Sequence, residues 1–161
     1  MEMTLVREGK QSDLPALLNL VRELAIYEKA EQEVSNTVAQ MTSDGFGEKP
    51  VFGFFVAEVD ERIVGMAVWY FRFSTWKGKR LWLEDIIVSE PFRGKGIGKN
   101  LFDAVMKKSI QENCTGMMWQ VLDWNEPSIE FYKRYGSKLD PEWINCHLDR
   151  SQIEEHLKKK I

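Results

Sequence analysis

The 161-residue sequence has little cysteine, no long apolar run and no excess of positive charge. Its two cysteines, Cys114 and Cys146, lie far apart and match no metal-binding or redox spacing. We therefore predict free thiols in a reducing compartment, and no metal site. No run of apolar residues is long enough to span a bilayer, and the first residues are not typical of a signal peptide. These absences predict a cytoplasmic protein without a membrane partner.

The charge balance argues against a nucleic-acid partner. The formal net charge is −3, so the chain lacks the general positive field on which nucleic-acid binding depends. Apolar residues make up 43% and charged residues 29% of the chain, which is ordinary for a globular protein. The length and the lack of a linker predict one domain over residues 1–161, large enough to bury a good core.

Patterns of apolar residues predict helices and strands along the whole chain. Helices are expected after Ser12–Asp13 and Thr37, after the glycines near residue 96, from about Pro127 to Gly136, and over Ser151–Lys160. Because a helix separates the fourth and fifth strands, these two should be parallel, whereas the second, third and fourth should form an antiparallel meander. The predicted strands are Thr4–Arg7, Val51–Val59, Ile63–Ser74, Leu81–Val88, Met117–Leu122 and one or more within Leu139–Leu148.

The stretch Leu81–Leu101 carries the strongest functional signal. Two carboxylates, Glu84 and Asp85, interrupt an apolar strand, and a carboxylate buried without a partner is costly. The turn Arg93–Lys99 then places three glycines and three cations where a helix begins. Backbone N–H groups in such a turn can approach a phosphate closely, and the helix dipole favours negative charge.

The glycine turn matches neither of two common phosphate loops. A Walker A loop requires Ser or Thr where Asn100 stands, and a dinucleotide-binding fingerprint requires Gly where Lys99 stands. What remains is Arg-x-x-Gly-x-Gly between a strand and an amphipathic helix. This pattern is typical of a ligand loop, although a plain tight connection would also use glycine.

That pattern resembles the coenzyme-A pyrophosphate loop of the GNAT acetyltransferase superfamily, and the order of elements resembles the GNAT fold. The resemblance is strongest to the diamine (spermidine/spermine) N-acetyltransferases. It implies an α/β (α+β) fold whose mixed, mostly antiparallel sheet is splayed between strands four and five and flanked by helices. The segments that carry the resemblance are Glu23–Glu28, Asp44–Glu48, Trp76–Lys79, Leu83–Asp85, Arg93–Gly98 and Trp124–Arg134.

The resemblance implies acetyl-CoA as cofactor and a homodimer as assembly. Backbone groups of the fourth strand would bind the pantetheine arm as another strand would, and the glycine turn would hold the pyrophosphate. Asn125 alone is also explained as a helix cap. The expected cofactor-binding residues are Ile86, Ile87, Val88, Arg93, Gly94, Lys95, Gly96, Ile97, Gly98, Lys99, Asn125, Ser128 and Tyr132.

The reaction implied is acetyl transfer to a primary amine. An alkyl amine has a pKa of roughly 10.4 and must lose a proton before it can attack. Glu84 is the expected base, acting directly or through water, although a structural carboxylate is the alternative. Asp85 is expected to have a structural or peripheral role. Tyr132 is the expected proton donor to the departing thiolate, and core packing is its alternative.

A diamine or polyamine suits acidic groups that alternate with aromatic faces. The acidic stretch Tyr27–Glu33 would form part of that surface, or would simply be a solvated helix end. The sequence departs from the eukaryotic enzymes in the short turn Asp60–Arg62 and after Gly136, so thialysine, another amino acid, a protein lysine or a non-catalytic acyl-CoA-binding role stay open. The expected acceptor-binding residues are Tyr27, Glu28, Trp76, Glu84 and Glu142.

Overall fold

A computed structural model describes residues 4–158. The chain forms two compact units, the first ending at Gln120 and the second beginning at Val121. The first unit is built on one sheet of five strands, and the second contains two helices. The strands are β1 Thr4–Glu8, β2 Gly53–Val59, β3 Arg62–Ser74, β4 Gly78–Val88 and β5 Met117–Trp119; the helices are α1 Leu14–Tyr27, α2 Val38–Phe46, α3 Ile97–Gln111, α4 Glu126–Lys133 and α5 Arg150–Lys158.

The sheet order is β1-β2-β3-β4-β5, with antiparallel pairing up to β4 and a parallel β4–β5 pair. Both the meander and the parallel pair confirm the predicted topology. Asp60 and Glu61 form the two-residue turn between β2 and β3, with φ of 48° and 61°. Positive φ at both central residues is typical of a type I′ turn, whose twist matches that of an antiparallel hairpin.

Helices cover both faces of the central part of the sheet. On one face, α1 and α2 pack on alternate residues of β2 to β4, including Val56, Met66 and Ile87. On the other face Leu101 of α3 packs over Gly65, where a Cβ would come within 3.1 Å of the leucine Cδ1. Each leucine or valine buried in this way contributes about 1.5–3 kcal/mol relative to exposure. The core therefore holds the end of β4 and the start of α3 on a rigid support.

The start of α1 is fixed by an ion-pair network rather than by the expected Asp13 cap. Arg7 lies 2.7 Å from Asp13 and 2.8 Å from Glu58, and the Lys10 amide donates to Asp13 at 2.8 Å. Asp13 is buried, and its side chain makes no capping hydrogen bond to α1. Its carboxylate instead joins Arg7 of β1 to the turn before the helix, and Arg7 in turn reaches Glu58 of β2.

In the second unit, Pro127 lies in the first turn of α4, as predicted. The prediction of a strand within Leu139–Leu148 is wrong. This segment consists of turn and irregular backbone, and each of its residues is exposed. A strand requires a hydrogen-bonded neighbour, which alternating residues alone do not supply. The expected end of the last helix, at Lys160, lies outside the described residues. Within residues 4–158, no helix has the length and apolar character needed to cross a bilayer.

Candidate active site

The glycine turn forms an open cradle at the start of α3. Gly94 and Gly96 have φ of 76° and 80°, and Gly96 is the residue that precedes the helix. A Cβ placed on either glycine would meet no atom within 4 Å. The left-handed backbone therefore accounts for both glycines. The open space beside them would let a ligand come close to the backbone amides. The amide groups of this turn and the helix N-terminus suit a phosphate.

Three cations surround the turn. The Arg93 Nε donates to the Val88 carbonyl at 2.8 Å, and its guanidinium carbon lies 5.4 Å from the centre of the Tyr27 ring. Lys95 lies 5.3 Å from the centre of the Phe92 ring. Lys99 pairs with Asp103 one turn later in α3 and stays largely exposed. These side chains place positive charge beside the cradle.

The end of β4 next to the turn has an open edge. Parallel pairing with β5 stops at Leu83 and Trp119, whereas β4 continues to Val88. The Ser89 amide donates to the Val64 carbonyl, so Ser89 and Val64 form a hydrogen-bonded pair. Because hydrogen-bonded and non-hydrogen-bonded pairs alternate along an antiparallel ladder, the next pair, Gly65 and Val88, has no direct hydrogen bonds. The backbone groups of Val88 and Ile86 therefore point away from β3. They face the edge along which a pantetheine arm was expected.

Ile87 differs from its two neighbours. It is opposite Met66 in β3, at a position where both backbone groups bond across the antiparallel pair. Its side chain is buried in the core with α1. Of the three β4 residues expected to bind cofactor, the structure thus places only Ile86 and Val88 with backbone groups on the open edge.

Glu84 lies at a β-bulge. Val68 and Trp69 of β3 are paired with Asp85 and Leu83 of β4, so Glu84 is the extra residue between them. Bulges of this kind redirect a side chain and are frequent near active sites. The Glu84 side chain is exposed and accepts a 2.8 Å hydrogen bond from Trp82 Nε1. The expectation that its burial is costly is therefore wrong for Glu84, because the bulge turns it to solvent.

The burial argument applies to Asp85 instead. Asp85 lies two residues before Ile87 and therefore on the face that α1 covers. Burial, and then the negative charges of Glu84 and Glu28, raises the pKa of Asp85 to about 6. Among residues 4–158 its carboxylate has no hydrogen-bond or ion-pair partner. Sequence reasoning gave Asp85 a minor role, although the consecutive carboxylates were the signal that pointed to it.

The end of α1 supplies the neighbouring groups. Glu28 follows the last helical residue, Tyr27, and burial raises the pKa of its carboxyl group above the ordinary value. Glu28 acts electrostatically on Asp85, as does Glu84, so the three carboxylates form one acidic cluster in the first unit. Trp76 lies in the turn between β3 and β4 and is 82% exposed. Its backbone amide donates to the Ser74 hydroxyl oxygen, and among residues 4–158 its side chain makes no hydrogen bond to the three carboxylates.

Four of the expected site residues belong to the second unit. The Asn125 side chain accepts a hydrogen bond from the Ser128 amide, which confirms its capping role at α4. Tyr132 is buried in α4, and its ring contacts that of Phe131. Glu142 lies in the exposed irregular segment, and its amide donates to Asp140.

Comparison with known proteins agrees with this geometry. Residues 15–136 match the Acetyltransferase (GNAT) family. A thialysine N-epsilon-acetyltransferase of Bos taurus is 36% identical over 96% of this chain and 95% of its own length. A spermidine/spermine N(1)-acetyltransferase-like protein 1 of Homo sapiens is 33% identical over 94% of this chain and 23% of its own length. An aminoglycoside N-acetyltransferase solved with CoA has the same fold, with a TM-score of 0.73 and 19% identity, over 93% of this chain and 97% of its own.

The chain belongs to the GNAT family of acetyltransferases and is an N-acetyltransferase. The match confirms the family and the fold class predicted from the sequence. Enzymes of this family use acetyl-CoA as the acetyl donor.

Proposed function

We propose that this enzyme transfers the acetyl group of acetyl-CoA to a primary amine of a small cationic acceptor, a diamine or polyamine. The observation that supports this best is the acidic cluster of Glu28, Glu84 and Asp85 beside the open edge of β4. A half-buried carboxylate without a partner, next to two more carboxylates, suits a ligand ammonium group. The two relatives described above are both named for acetyl transfer to amines, which supports an amine acceptor.

The cradle and the open edge fit coenzyme A. The backbone groups of Ile86 and the amide of Val88 would hold the pantetheine arm, because the Val88 carbonyl already accepts from Arg93. The residues from Gly94 to Lys99 would hold the pyrophosphate with Arg93. Asn125 and Ser128 are further proposed contacts. Acetyl-CoA supplies the acetyl group as a thioester, and the protein's own part is to hold it and to move protons.

The acidic cluster would take the proton that the acceptor ammonium must lose. Glu84 is exposed and free to act directly or through water, and Asp85 has a pKa close enough to neutrality for general base catalysis. Glu84 and Asp85 are adjacent in β4, so we assign this role to the two carboxylates together. Tyr132 is the proposed donor to the departing sulfur. A Tyr132→Phe variant that kept the single-turnover rate of acetyl transfer would exclude that role.

An amino acid with a side-chain amine, such as thialysine, is the second candidate. The bovine relative favours it, because the two chains cover one another almost completely. Such an acceptor carries a carboxylate, which the acidic cluster would repel. Arg72 offers a counter-charge close by, since its guanidinium carbon lies 5.2 Å from the centre of the Trp82 ring and Trp82 donates to Glu84. Arg72 would then select for the amino acid.

Acetyl-CoA consumption over a panel of diamines, polyamines and amino acids tests both candidates. We expect kcat/KM to be higher for diamines and polyamines than for amino acids. Glu28→Gln should lower kcat/KM more for diamines and polyamines than for a monoamine. High salt should reduce this difference, because it screens the charges. Arg72→Gln should leave diamines unaffected. Higher kcat/KM for thialysine, with a selective loss in Arg72→Gln, would instead establish the second candidate. No consumption with any small amine would contradict both.

A further inference from the structure

Glu23 contacts the connection between β4 and the glycine turn. Its Oε2 accepts a hydrogen bond from the Ser89 hydroxyl at 2.8 Å, and its Oε1 accepts one from the Glu90 amide at 3.1 Å. The same Oε1 lies 3.9 Å from a terminal nitrogen of Arg93. One carboxylate of α1 therefore reaches three successive points of the chain that leads into the phosphate cradle.

These contacts also fix the Arg93 guanidinium. Its Nε bonds to the Val88 carbonyl, one terminal nitrogen faces Glu23, and its plane lies near the Tyr27 ring. A guanidinium has five N–H donors in a rigid fork, so donors on the second terminal nitrogen are left for an anion. The side chain is 41% exposed, which leaves it accessible from solvent.

We propose that Glu23 is a positioning residue for coenzyme-A binding. It holds the connection after β4 in place and orients Arg93 toward the pyrophosphate, without touching the cofactor itself. The proposal rests on the proposed function, because it assumes that the glycine turn binds coenzyme A. It extends the site to a carboxylate on α1 that lies outside the glycine motif.

Two substitutions separate the charge of Glu23 from its hydrogen bonds. Glu23→Gln keeps one acceptor oxygen and removes the charge beside Arg93. Because that ion pair is long and partly exposed, the Kd for coenzyme A should rise only about threefold. Glu23→Ala removes the hydrogen bonds as well, so the Kd should rise about tenfold or more. Single-turnover acetyl transfer at saturating acetyl-CoA should not change, since the reacting groups are untouched.

Titration calorimetry with coenzyme A measures both variants in the full chain. Glu33→Gln is the matched control, since Glu33 is an exposed carboxylate just beyond α1, and its Kd should equal that of the wild type. The Glu23→Gln effect should disappear in an Arg93→Gln background, because its charge then has no partner. A merely structural role would give the same effect in both backgrounds and would overturn the proposal.

An unchanged Kd in a folded Glu23→Ala variant would also overturn the proposal. If that variant fails to fold, the comparison of Glu23→Gln with and without Arg93 decides the question alone. A wild-type protein that binds no coenzyme A would overturn the proposed function and this proposal together. Wild-type binding with unaffected variants would overturn this proposal only.

Discussion

At the scale of single residues, Asp85 combines partial burial, two acidic neighbours and no partner among the described residues. Charging such a group is opposed first by burial and then by Glu84 and Glu28, which places its pKa at about 6. Glu84 is adjacent in sequence but lies at the bulge and is exposed. Neighbouring carboxylates of one strand thus differ in how far solvent reaches them.

The pH dependence of acetyl transfer should report this group. If the acceptor binds as an ammonium ion and the acidic pair takes its proton, kcat/KM should rise as pH increases through about 6, where Asp85 ionises. It should then stay level until the acceptor itself loses its proton, near pH 10 for an alkyl amine. Asp85→Asn should remove the rise near pH 6 and lower the rate at pH 7.5 by about a hundredfold or more.

Glu61→Gln is a suitable control for that experiment, because Glu61 is exposed in the turn between β2 and β3. Its profile should overlay that of the wild type. An Asp85→Asn profile with the rise near pH 6 intact would show that another group titrates there, and would remove Asp85 from the proton pathway.

At the scale of elements, the turn before α3 depends on backbone geometry. Gly96 has a left-handed backbone with open space where a side chain would project. A Gly96→Val variant should strain the turn by about 1–2 kcal/mol and place a branched side chain in the approach of the pyrophosphate. We expect the Kd for acetyl-CoA, measured by calorimetry, to rise at least about tenfold.

Gly136 provides the matched control for strain alone. It has φ of 72° and equally open surroundings, and it lies outside the glycine turn. Gly136→Val should lower the melting temperature without a comparable loss of affinity. If both valine variants lost affinity equally, or neither did, the turn before α3 would not be the pyrophosphate site.

At the scale of the whole molecule, two aspartates should shift stability in opposite directions. The pKa of Asp85 is raised in the folded state, so its ionisation opposes folding above about pH 6, and this cost vanishes below the ordinary value of 3.8. The Arg7 hydrogen bond lowers the pKa of Asp13, so Asp13 stabilises the fold above 3.8 and loses this effect as pH falls further.

Urea unfolding at two pH values tests these signs. At pH 7.5, Asp85→Asn should raise the free energy of unfolding by about 1–3 kcal/mol, the scale set by a pKa change of this size. Asp13→Asn should lower it by about 1–3 kcal/mol, because the partly buried Arg7 contact loses its charged partner and one of its two acceptor oxygens. The gain from Asp85→Asn should be largely absent at pH 4. A gain of equal size at both pH values would show that packing, rather than charge, explains it.

The sequence by itself determined the order of the elements up to α4, the parallel β4–β5 pair, the glycine turn and the family. The elements and their pairing depend on local signals, such as the spacing of apolar residues, the glycines before a helix and a helical connection between two strands. The family depends on short motifs whose residues are contiguous in the sequence. The sequence also predicted a strand within Leu139–Leu148 that is absent, because a strand exists only where a neighbour pairs with it.

Only the tertiary structure decided which of the two neighbouring carboxylates, Glu84 or Asp85, is exposed and which is partly buried. The β-bulge exposes Glu84 and leaves Asp85 under α1, and that assignment depends on the register of β3 against β4. The contacts of Asp13 with Arg7 and of Glu23 with the Ser89–Arg93 connection likewise join residues from different elements. Burial and charge at these positions arise from long-range packing, which no spacing along the chain encodes.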